Sequence, residues 1–439
     1  VPRRFWIETL GCPKNQVDSD KLLGTLLADG FEPAATPGRA DLVVVNTCAF
    51  IDEARQESID TILSLSDRRK KGAEVVVTGC LAERHGAELA AAIPEVSVRG
   101  FDVSVHAPVA TGEGVAVTLG RTRRADVPSF DLLNLPRPRS PRPWAYVKIA
   151  EGCDRQCGFC AIPSFRGKQR SRSMEAIVDE VVQLGAREIV LVAQDLASYG
   201  RDQGVGEKQL VPLIEAVSAK VDRVRLLYLY PSELTDKLID TIGATGVPYF
   251  DLSLQHVSAP LVRRMRRWGN GDKFLARIDA IRGRFPTAAF RSNFIVGYPG
   301  ETEADHDALL AFVDAAQLDW CGFFAYSAEP GTYATTLDGA VERSLMDERL
   351  RELRAAQDDI TALRRDALIG QDIQVLVDEP GVGRSHREAP EIDGIVQIPT
   401  DLAVGTFATV RVTDALGPDL VAETPSSPSS PLIPFRVMA

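Results

Sequence analysis

The chain has 439 residues, 45% of them apolar, and a formal net charge of −11 from 50 basic and 61 acidic side chains. That length exceeds one ordinary domain and predicts two or three. The acidic balance weighs against a chain that coats nucleic acid, and no apolar run approaches the roughly 20 residues of a membrane span. The start, Val1-Pro2-Arg3-Arg4-Phe5-Trp6, carries no apolar signal-peptide core. The expectation is a cytoplasmic protein with no membrane attachment. In that reducing compartment the seven cysteines are metal or catalytic candidates rather than a disulfide framework.

Residues 5–110 read as alternating strands and helices. A strand over 4–10 runs into Gly11-Cys12-Pro13-Lys14-Asn15, and a helix follows with Val17, Leu22, Leu23, Leu26 and Leu27 on its apolar face and Gly30 at its end. Residues 41–48 form a β-branched, buried parallel-type strand; a helix spans about 51–71, and 74–80 repeats the strand pattern. This is a doubly wound α/β domain. Cys12, Cys48 and Cys80 each follow a strand at its C-terminal end, the edge where open parallel sheets bind ligands. A lone free cysteine is commonly just a core residue. Three at equivalent strand ends predict a shared iron–sulfur cluster with three protein ligands and one open iron.

Residues 113–140 read as a linker. Arg121-Thr122-Arg123-Arg124 and the Pro/Arg-rich stretch 135–143 lack a core pattern. They predict a solvated connector stiffened by proline, with a polyanion contact as the alternative. From 141 to 370 the βα alternation resumes. Strands over 144–149, 188–193, 224–229, 249–254, 289–296 and 321–326 predict six βα units, a partial barrel with its chemistry at the C-terminal strand ends.

After the first of these strands comes Glu151-Gly152-Cys153-Asp154-Arg155-Gln156-Cys157-Gly158-Phe159-Cys160. Its thiolates are soft ligands at Cys-x3-Cys-x2-Cys spacing, suited to iron–sulfur or zinc. Structural zinc wants four ligands, and no further Cys or His follows until His256. Three thiolates and one open position describe a [4Fe–4S] cluster with an iron free for substrate. Gln194-Asp195, Gln255-His256 and the loop Gly297 to Glu303 stand at other strand ends. His256 reads as a structural hydrogen-bonding histidine, with direct proton transfer as the alternative. The basic runs 166–172 and 263–268 suit a carboxylate, an acidic partner or RNA, or else a salt-bridged surface. Cys321, with no partner at ligand spacing, reads as a core residue.

After a charged helical stretch, 371–378, 394–398 and 407–413 alternate as strands and predict a small β-barrel over 371–439. Such barrels often bind RNA. This one holds four arginines, no lysine and ten carboxylates, a net of −6 that repels phosphate and suits a basic protein. The Pro/Ser-rich 425–431 reads as a loose tail.

These motifs carry a resemblance. The central triplet is similar to that of the radical S-adenosylmethionine enzymes. Thr9-Leu10-Gly11-Cys12-Pro13-Lys14-Asn15, Asn46-Thr47-Cys48-Ala49-Phe50-Ile51 and Thr78-Gly79-Cys80-Leu81 resemble the N-terminal motifs of the methylthiotransferases within that superfamily. The match runs along nearly the whole chain. It implies an N-terminal methylthiotransferase domain over 1–112, a radical S-adenosylmethionine (β/α)6 partial barrel over 141–370 and an OB-like TRAM domain over 371–439. It implies two [4Fe–4S] clusters, an auxiliary one on Cys12, Cys48 and Cys80 and one on Cys153, Cys157 and Cys160 that binds S-adenosylmethionine. Gln194, Asp195, Gly297, Gly300 and Glu301 would border the S-adenosylmethionine pocket, with Phe159 beside the adenine. The implied chemistry is hydrogen abstraction by a 5′-deoxyadenosyl radical, then transfer of a methylthio group, with a reducing protein as electron donor.

The family has one branch acting on a tRNA adenosine and another on an aspartate β-carbon of the twelfth small-subunit ribosomal protein. Residues 10–20, 161–167 and 383–394 resemble the second branch, and the acidic barrel agrees with a basic ribosomal protein as partner. Nucleic acid is then not the expected substrate. The tRNA branch is the alternative. A non-catalytic iron–sulfur module that binds RNA is a more distant one, which cluster-dependent cleavage of S-adenosylmethionine would exclude.

Overall fold

The computed structural model describes residues 2–106, 130–204 and 209–425. The basic run 121–124 and the tail beyond Pro425 lie outside the described residues.

The first unit comprises β1 (Arg4–Thr9), α1 (Pro13–Ala28), β2 (Glu32–Pro33), β3 (Leu42–Thr47), α2 (Asp52–Arg68), β4 (Glu74–Gly79), α3 (Cys80–Ala92) and β5 (Ser97–Val98). Its strands form one parallel sheet in the order β2-β1-β3-β4-β5. Alternation of side chains along β3 and β4 builds two cores. Val43, Val45, Val75 and Val77 pack with Ile62, Leu65, Leu81 and Leu89 of α2 and α3. Leu42, Val44 and Val76 face Leu22 and Leu26 of α1 on the other side. The doubly wound expectation is met. The helix α1 begins earlier than its sequence suggests, at Pro13, because proline at a helix's first position gives up no hydrogen bond. Leu27 is 41% exposed rather than on the apolar face. Asn15, Asp18 and Lys21 are buried instead, because α1 is wedged between its own sheet and the next unit.

The second unit contains β6 (Trp144–Lys148), β7 (Ala150–Glu151), α4 (Ile162–Phe165), β8 (Arg170–Ser171), α5 (Met174–Leu184), β9 (Glu188–Val192), α6 (Leu210–Ser218), β10 (Arg223–Leu226), α7 (Asp236–Gly243) and β11 (Tyr249–Gln255). It continues through α8 (Ala259–Arg264), α9 (Gly271–Arg284), β12 (Ala289–Val296), α10 (Glu303–Ala316), β13 (Trp320–Ala325) and α11 (Arg343–Asp366). Six parallel strands run β6-β9-β10 and β11-β12-β13, joined by a single bridge between Leu229 and Leu252. This is the partial barrel. Ala145, Val147, Ile189, Leu191, Val224 and Leu226 belong to the core shared with the outer helices. Trp144, Tyr146, Val190, Val192, Tyr249 and Trp320 form a separate inner core, which Val17 of α1 and Ala389 enter from the flanking units.

The third unit is a closed barrel of β14 (Asp372–Glu379), β15 (Val382–Arg384), β16 (Val396–Gln397), β17 (Phe407–Leu416) and β18 (Asp419–Glu423). The short β15 and the late β18 are not among the strands the alternation marks. The segment between β15 and β16 docks on the N-terminal strand ends of the larger barrel. Arg384 pairs with Glu188 (3.3 Å), Arg365 pairs with Glu388 (2.5 Å), and Arg291 pairs with Asp393 (2.6 Å). Arg384 is therefore buried, as are the carboxylates of Glu388 and Asp393, and Arg411 is tied to Asp372 at 2.8 Å.

The described end of the linker corrects its reading as a solvated connector. Leu132 and Leu133 are buried, and Leu132 joins the core beneath α1. Arg137 is 3% exposed and binds Asp20 of α1 (2.9 Å) and Glu180 of α5 (2.8 Å). A guanidinium clamp between two units has no apolar pattern, so composition reads it as solvated.

Candidate functional site

Three strand ends bring Cys12, Cys48 and Cys80 together. Cys12 is the N-cap of α1, Cys48 follows β3, and Cys80 opens α3. Amide side chains hold the ends in register. Asn15 donates to the carbonyls of Leu10 (2.8 Å) and Thr47 (3.0 Å), and Asn46 donates to the carbonyl of Asn15 (2.9 Å). The Ser58 hydroxyl donates to the Cys48 carbonyl at 2.8 Å and accepts its N–H at 3.1 Å. Gly11 is required here: its φ is +92°, and a Cβ would lie 2.8 Å from that of Cys48. The thiols sense one another. Burial pushes Cys48 up to about 12, with the neighbouring Cys80 and Cys12 adding to it. Burial also raises Cys80, against the opposing pull of Arg166. Burial is the largest influence on Cys12 too, but Lys14, the Asn15 N–H and Arg166 together outweigh it and lower that thiol.

Cys153, Cys157 and Cys160 lie in the loop that leaves β7. Gly152 and Gly158 let this loop pack. A Cβ on Gly152 would fall 2.2 Å from the Lys168 carbonyl, and one on Gly158 would fall 2.6 Å from the Tyr298 hydroxyl. The Arg155 N–H reaches Cys153 Sγ at 3.4 Å, and Arg267 donates to Cys157 Sγ at 3.2 Å. Burial, reinforced by Asp195 and Cys157, pushes the Cys153 thiol up to about 11.

The two triplets are joined by one buried network. Arg166 donates to Cys80 Sγ (3.1 Å) and Asn15 Oδ1 (3.0 Å) and pairs with Glu151 (3.1 Å) and Asp18 (3.3 Å). Lys148, at the C-terminal end of β6, binds the same Asp18 and Glu151, the latter at 2.6 Å. Glu151 stands two residues before Cys153. Burial alone would raise its carboxyl, but Arg166 and Lys148 hold it down to about 2. Gln194 also donates to Glu151, at 2.6 Å. The first basic run is only in part a surface patch: the Arg166 side chain and Arg172 are buried, whereas Lys168 is exposed and the part-exposed Arg170 pairs with Asp131.

A cavity of about 300 Å³ opens beside Cys157, lined in part by Arg155, Gln169, Asp195, Arg201, Tyr230 and Arg266. Arg155 stacks on Tyr230 (3.6 Å) and binds Asp195 at 2.7 Å. Gln169 is buried there, and neither of its amide atoms has a hydrogen-bond partner. A buried unsatisfied amide beside a cavity is what a polar ligand would complete. Among the expected S-adenosylmethionine contacts, only Asp195 lines this cavity. Phe159 packs against Leu261, Met265, Tyr298 and Ala334. Gln194 is on Glu151 and leaves its buried Oε1 without a partner. Gly297 and Gly300 hold left-handed turns after β12. Glu301 is engaged at both oxygens, by the Gly297 N–H (2.5 Å) and by Arg349 (2.9 Å), and so braces that loop. Arg155 lies inside the cysteine loop and Gln169 inside the basic run 166–172, but only the fold shows that they and Tyr230 share a cavity wall.

His256 is buried with Nδ1 accepting the Ser258 N–H, and burial lowers it to about 4, which keeps it neutral. Cys321 packs against the barrel core. Both agree with the structural readings of those residues.

The donor set fits two clusters. Each triplet offers three thiols. Three thiols are one ligand short of a closed structural zinc site, which takes four. A cube of four irons takes its three thiolates at three separate corners.

Comparison with known proteins finds three family matches along the chain. Residues 4–99 match the uncharacterized protein family UPF0004, 147–313 the radical SAM superfamily and 369–424 the TRAM domain. The ribosomal protein uS12 methylthiotransferase RimO of Moorella thermoacetica is 42% identical, over 93% of this chain and 96% of its own. The protein of the same name from Kineococcus radiotolerans is 39% identical, over 96% of this chain and 97% of its own. Among solved structures, the radical S-adenosylmethionine methyltransferase TsrM from Kitasatospora setae, with cobalamin and a [4Fe-4S] cluster bound, aligns at a TM-score of 0.46 and 16% identity, over 74% of this chain and 75% of that one. With three matching domains in this order and such identity over nearly its full length, the chain belongs to the RimO family of ribosomal protein uS12 methylthiotransferases.

Proposed function

We propose that this protein adds a methylthio group to the β-carbon of an aspartate in ribosomal protein uS12, using two [4Fe–4S] clusters and S-adenosylmethionine. Cys153, Cys157 and Cys160 hold the cluster beside the 300 Å³ cavity, and Cys12, Cys48 and Cys80 hold the other. When bound, the clusters and S-adenosylmethionine supply the radical and the sulfur, chemistry that no acid–base side chain offers.

The chain's own residues position and enclose. Asp195 and Arg155 form one wall of the cavity, and Gln169 offers it an unspent amide. Gly297 and Glu301 brace the loop after β12, and Phe159 closes the apolar side of the cysteine loop. Arg166 and Lys148 hold the two thiol sets at a fixed separation. The observation that carries the reading is this buried bridge: α1, with Cys12 at its tip, is locked to the loop of Cys153 across the mouth of one barrel.

A basic ribosomal protein suits the acidic outward face of the small barrel, where Glu379, Asp401, Asp414 and Glu423 are exposed. A reducing protein supplies electrons, and the reaction belongs in the cytoplasm. Among the described residues no helix is long and apolar enough to cross a membrane.

The test is anaerobic. The reconstituted protein is given S-adenosylmethionine, a strong reductant, uS12 and tRNA together, and intact masses of both acceptors are taken. A methylthio gain on uS12 alone is expected. A gain on tRNA alone overturns the reading.

A further inference from the structure

Around the barrel mouth the cations are nearly all committed. Lys148 and Arg166 share Asp18 and Glu151. Arg155 is bound by Asp195 and Glu233, and Arg267 lies on Cys157 and the Ser253 carbonyl. Lys14 differs. It sits in the first turn of α1, two residues after Cys12, and forms no ion pair with a carboxylate among the described residues. Its ammonium rests 3.7 Å from the centroid of the Tyr228 ring.

Tyr228 follows β10 at the C-terminal end of the barrel with φ of +67°, a left-handed conformation that is strained for a non-glycine residue. Its N–H is held by Asp251 at 2.9 Å. The other oxygen of Asp251 is buried without a hydrogen bond and is not within ion-pair distance of Lys14. A left-handed backbone therefore presents an aromatic face to a half-buried ammonium that, among the described residues, has no carboxylate within ion-pair distance and acts on Asp251 and Cys12 only from further off.

We propose that Lys14 receives the carboxylate of the substrate aspartate. The assignment rests on the uS12 reading above. A half-buried ammonium gains most from a carboxylate that enters with its own water stripped. The carboxyl carbon of an aspartate is one bond from its β-carbon. Anchoring it on Lys14 sets that carbon beside the Cys12 end of the N-terminal thiol set. Tyr228 fixes the ammonium from beneath, so Lys14 is a recognition residue and Tyr228 its positioning residue.

The experiment uses full-length reconstituted protein and two forms of uS12, one with its target aspartate and one with asparagine there. Anaerobic equilibrium binding of labelled uS12 is measured for wild type, Lys14→Met and Lys14→Arg, with iron content and cluster absorption confirming an intact site. Wild type is expected to prefer the aspartate form by about ten- to a hundredfold, the range for a hydrogen-bonded charge pair. Lys14→Met binds both forms alike, and Lys14→Arg keeps a preference. If Lys14→Met retains the wild-type preference while wild type methylthiolates uS12, the Lys14 assignment is overturned alone. If Lys14→Met loses iron, the decision passes to Lys14→Arg: a retained preference supports the assignment, and its loss with intact clusters overturns it. If wild type leaves uS12 unmodified, the substrate reading falls and the assignment with it.

Discussion

The two thiol sets reach one barrel mouth by different routes. Cys153, Cys157 and Cys160 lie within eight residues of a single loop, shaped by Gly152 and Gly158. Cys12, Cys48 and Cys80 come from three strand ends and meet only because β1, β3 and β4 are neighbours in the sheet. The local set depends on loop conformation. The dispersed set depends on the whole domain and on Asn15, Asn46 and Ser58, which pin the strand ends. One triplet opens on the cavity and the other on the bridge through Arg166, so they should separate cleanly under mutation.

The largest effects test that separation. Replacing any of Cys153, Cys157 or Cys160 by alanine is expected to abolish reductive cleavage of S-adenosylmethionine. Replacing Cys12, Cys48 or Cys80 should leave 5′-deoxyadenosine formation in place and abolish methylthio transfer. Each set of variants should lose about half the iron of the reconstituted wild type. Equal loss of 5′-deoxyadenosine from both sets would show that the triplets do not have separate roles.

Next comes the link between them. Arg166→Gln leaves Asp18 and Glu151 to share the Lys148 ammonium, with Gln194 still donating to Glu151, and breaking one partner out of such a group costs about 3–5 kcal/mol. It also removes a charge-assisted hydrogen bond from Cys80, which should move the potential of that cluster to more negative values. Arg166→Lys keeps the charge but loses the fork that spans Cys80, Asn15 and the carboxylates. Potentiometric titration followed by EPR reads the shift. An unchanged potential in Arg166→Gln would leave the bridge a purely structural clamp.

The same comparison shows what sequence makes visible. The local triplet is legible because its spacing is its geometry. The dispersed triplet is legible only through the repeated strand-then-cysteine pattern, which places three thiols on one sheet edge. In sequence Arg166 is part of a basic run with a salt-bridged surface as one reading, because sequence does not show that α1 and Asp18 close over it. Arg155 and Gln169 sit inside stretches the sequence marks and Tyr230 in none, yet their common wall is not legible, since a cavity wall drawn from separate loops has no period and no spacing. The small barrel's closure was legible in part: β14 and β17 alternate clearly, whereas the three-residue β15 is too short to show a pattern.

The opposite end of the barrel gives a pH test. Burial alone would raise the Glu188 carboxyl, but Arg384, Arg225 and Arg223 outweigh it and hold it down to about 2. A carboxyl with a depressed folded-state pKa contributes its full stabilisation above the ordinary glutamate range near 4.3, and loses it as pH falls toward about 2. The melting temperature of the cluster-free protein should therefore drop through that window. Glu188→Gln should start lower at pH 7 and drop less. Parallel curves for the two proteins would show that another carboxylate governs the acid transition.

The smallest effect isolates what makes a cysteine functional here. Burial pushes the Cys321 thiol up as it does Cys48 and Cys153, yet Cys321 faces Arg291 and Asp319 rather than other thiols, and it packs on the barrel core. Burial of sulfur is thus common to both kinds of cysteine, and convergence of three is what differs. Cys321→Ala removes one sulfur from a packed site, with an expected cost of about 1 kcal/mol in denaturant unfolding, at the low end for large-to-small core changes. Iron content and both products should match wild type. A loss of iron in this variant would make Cys321 a ligand and break the distinction between convergent thiols and solitary ones on which the site assignment rests.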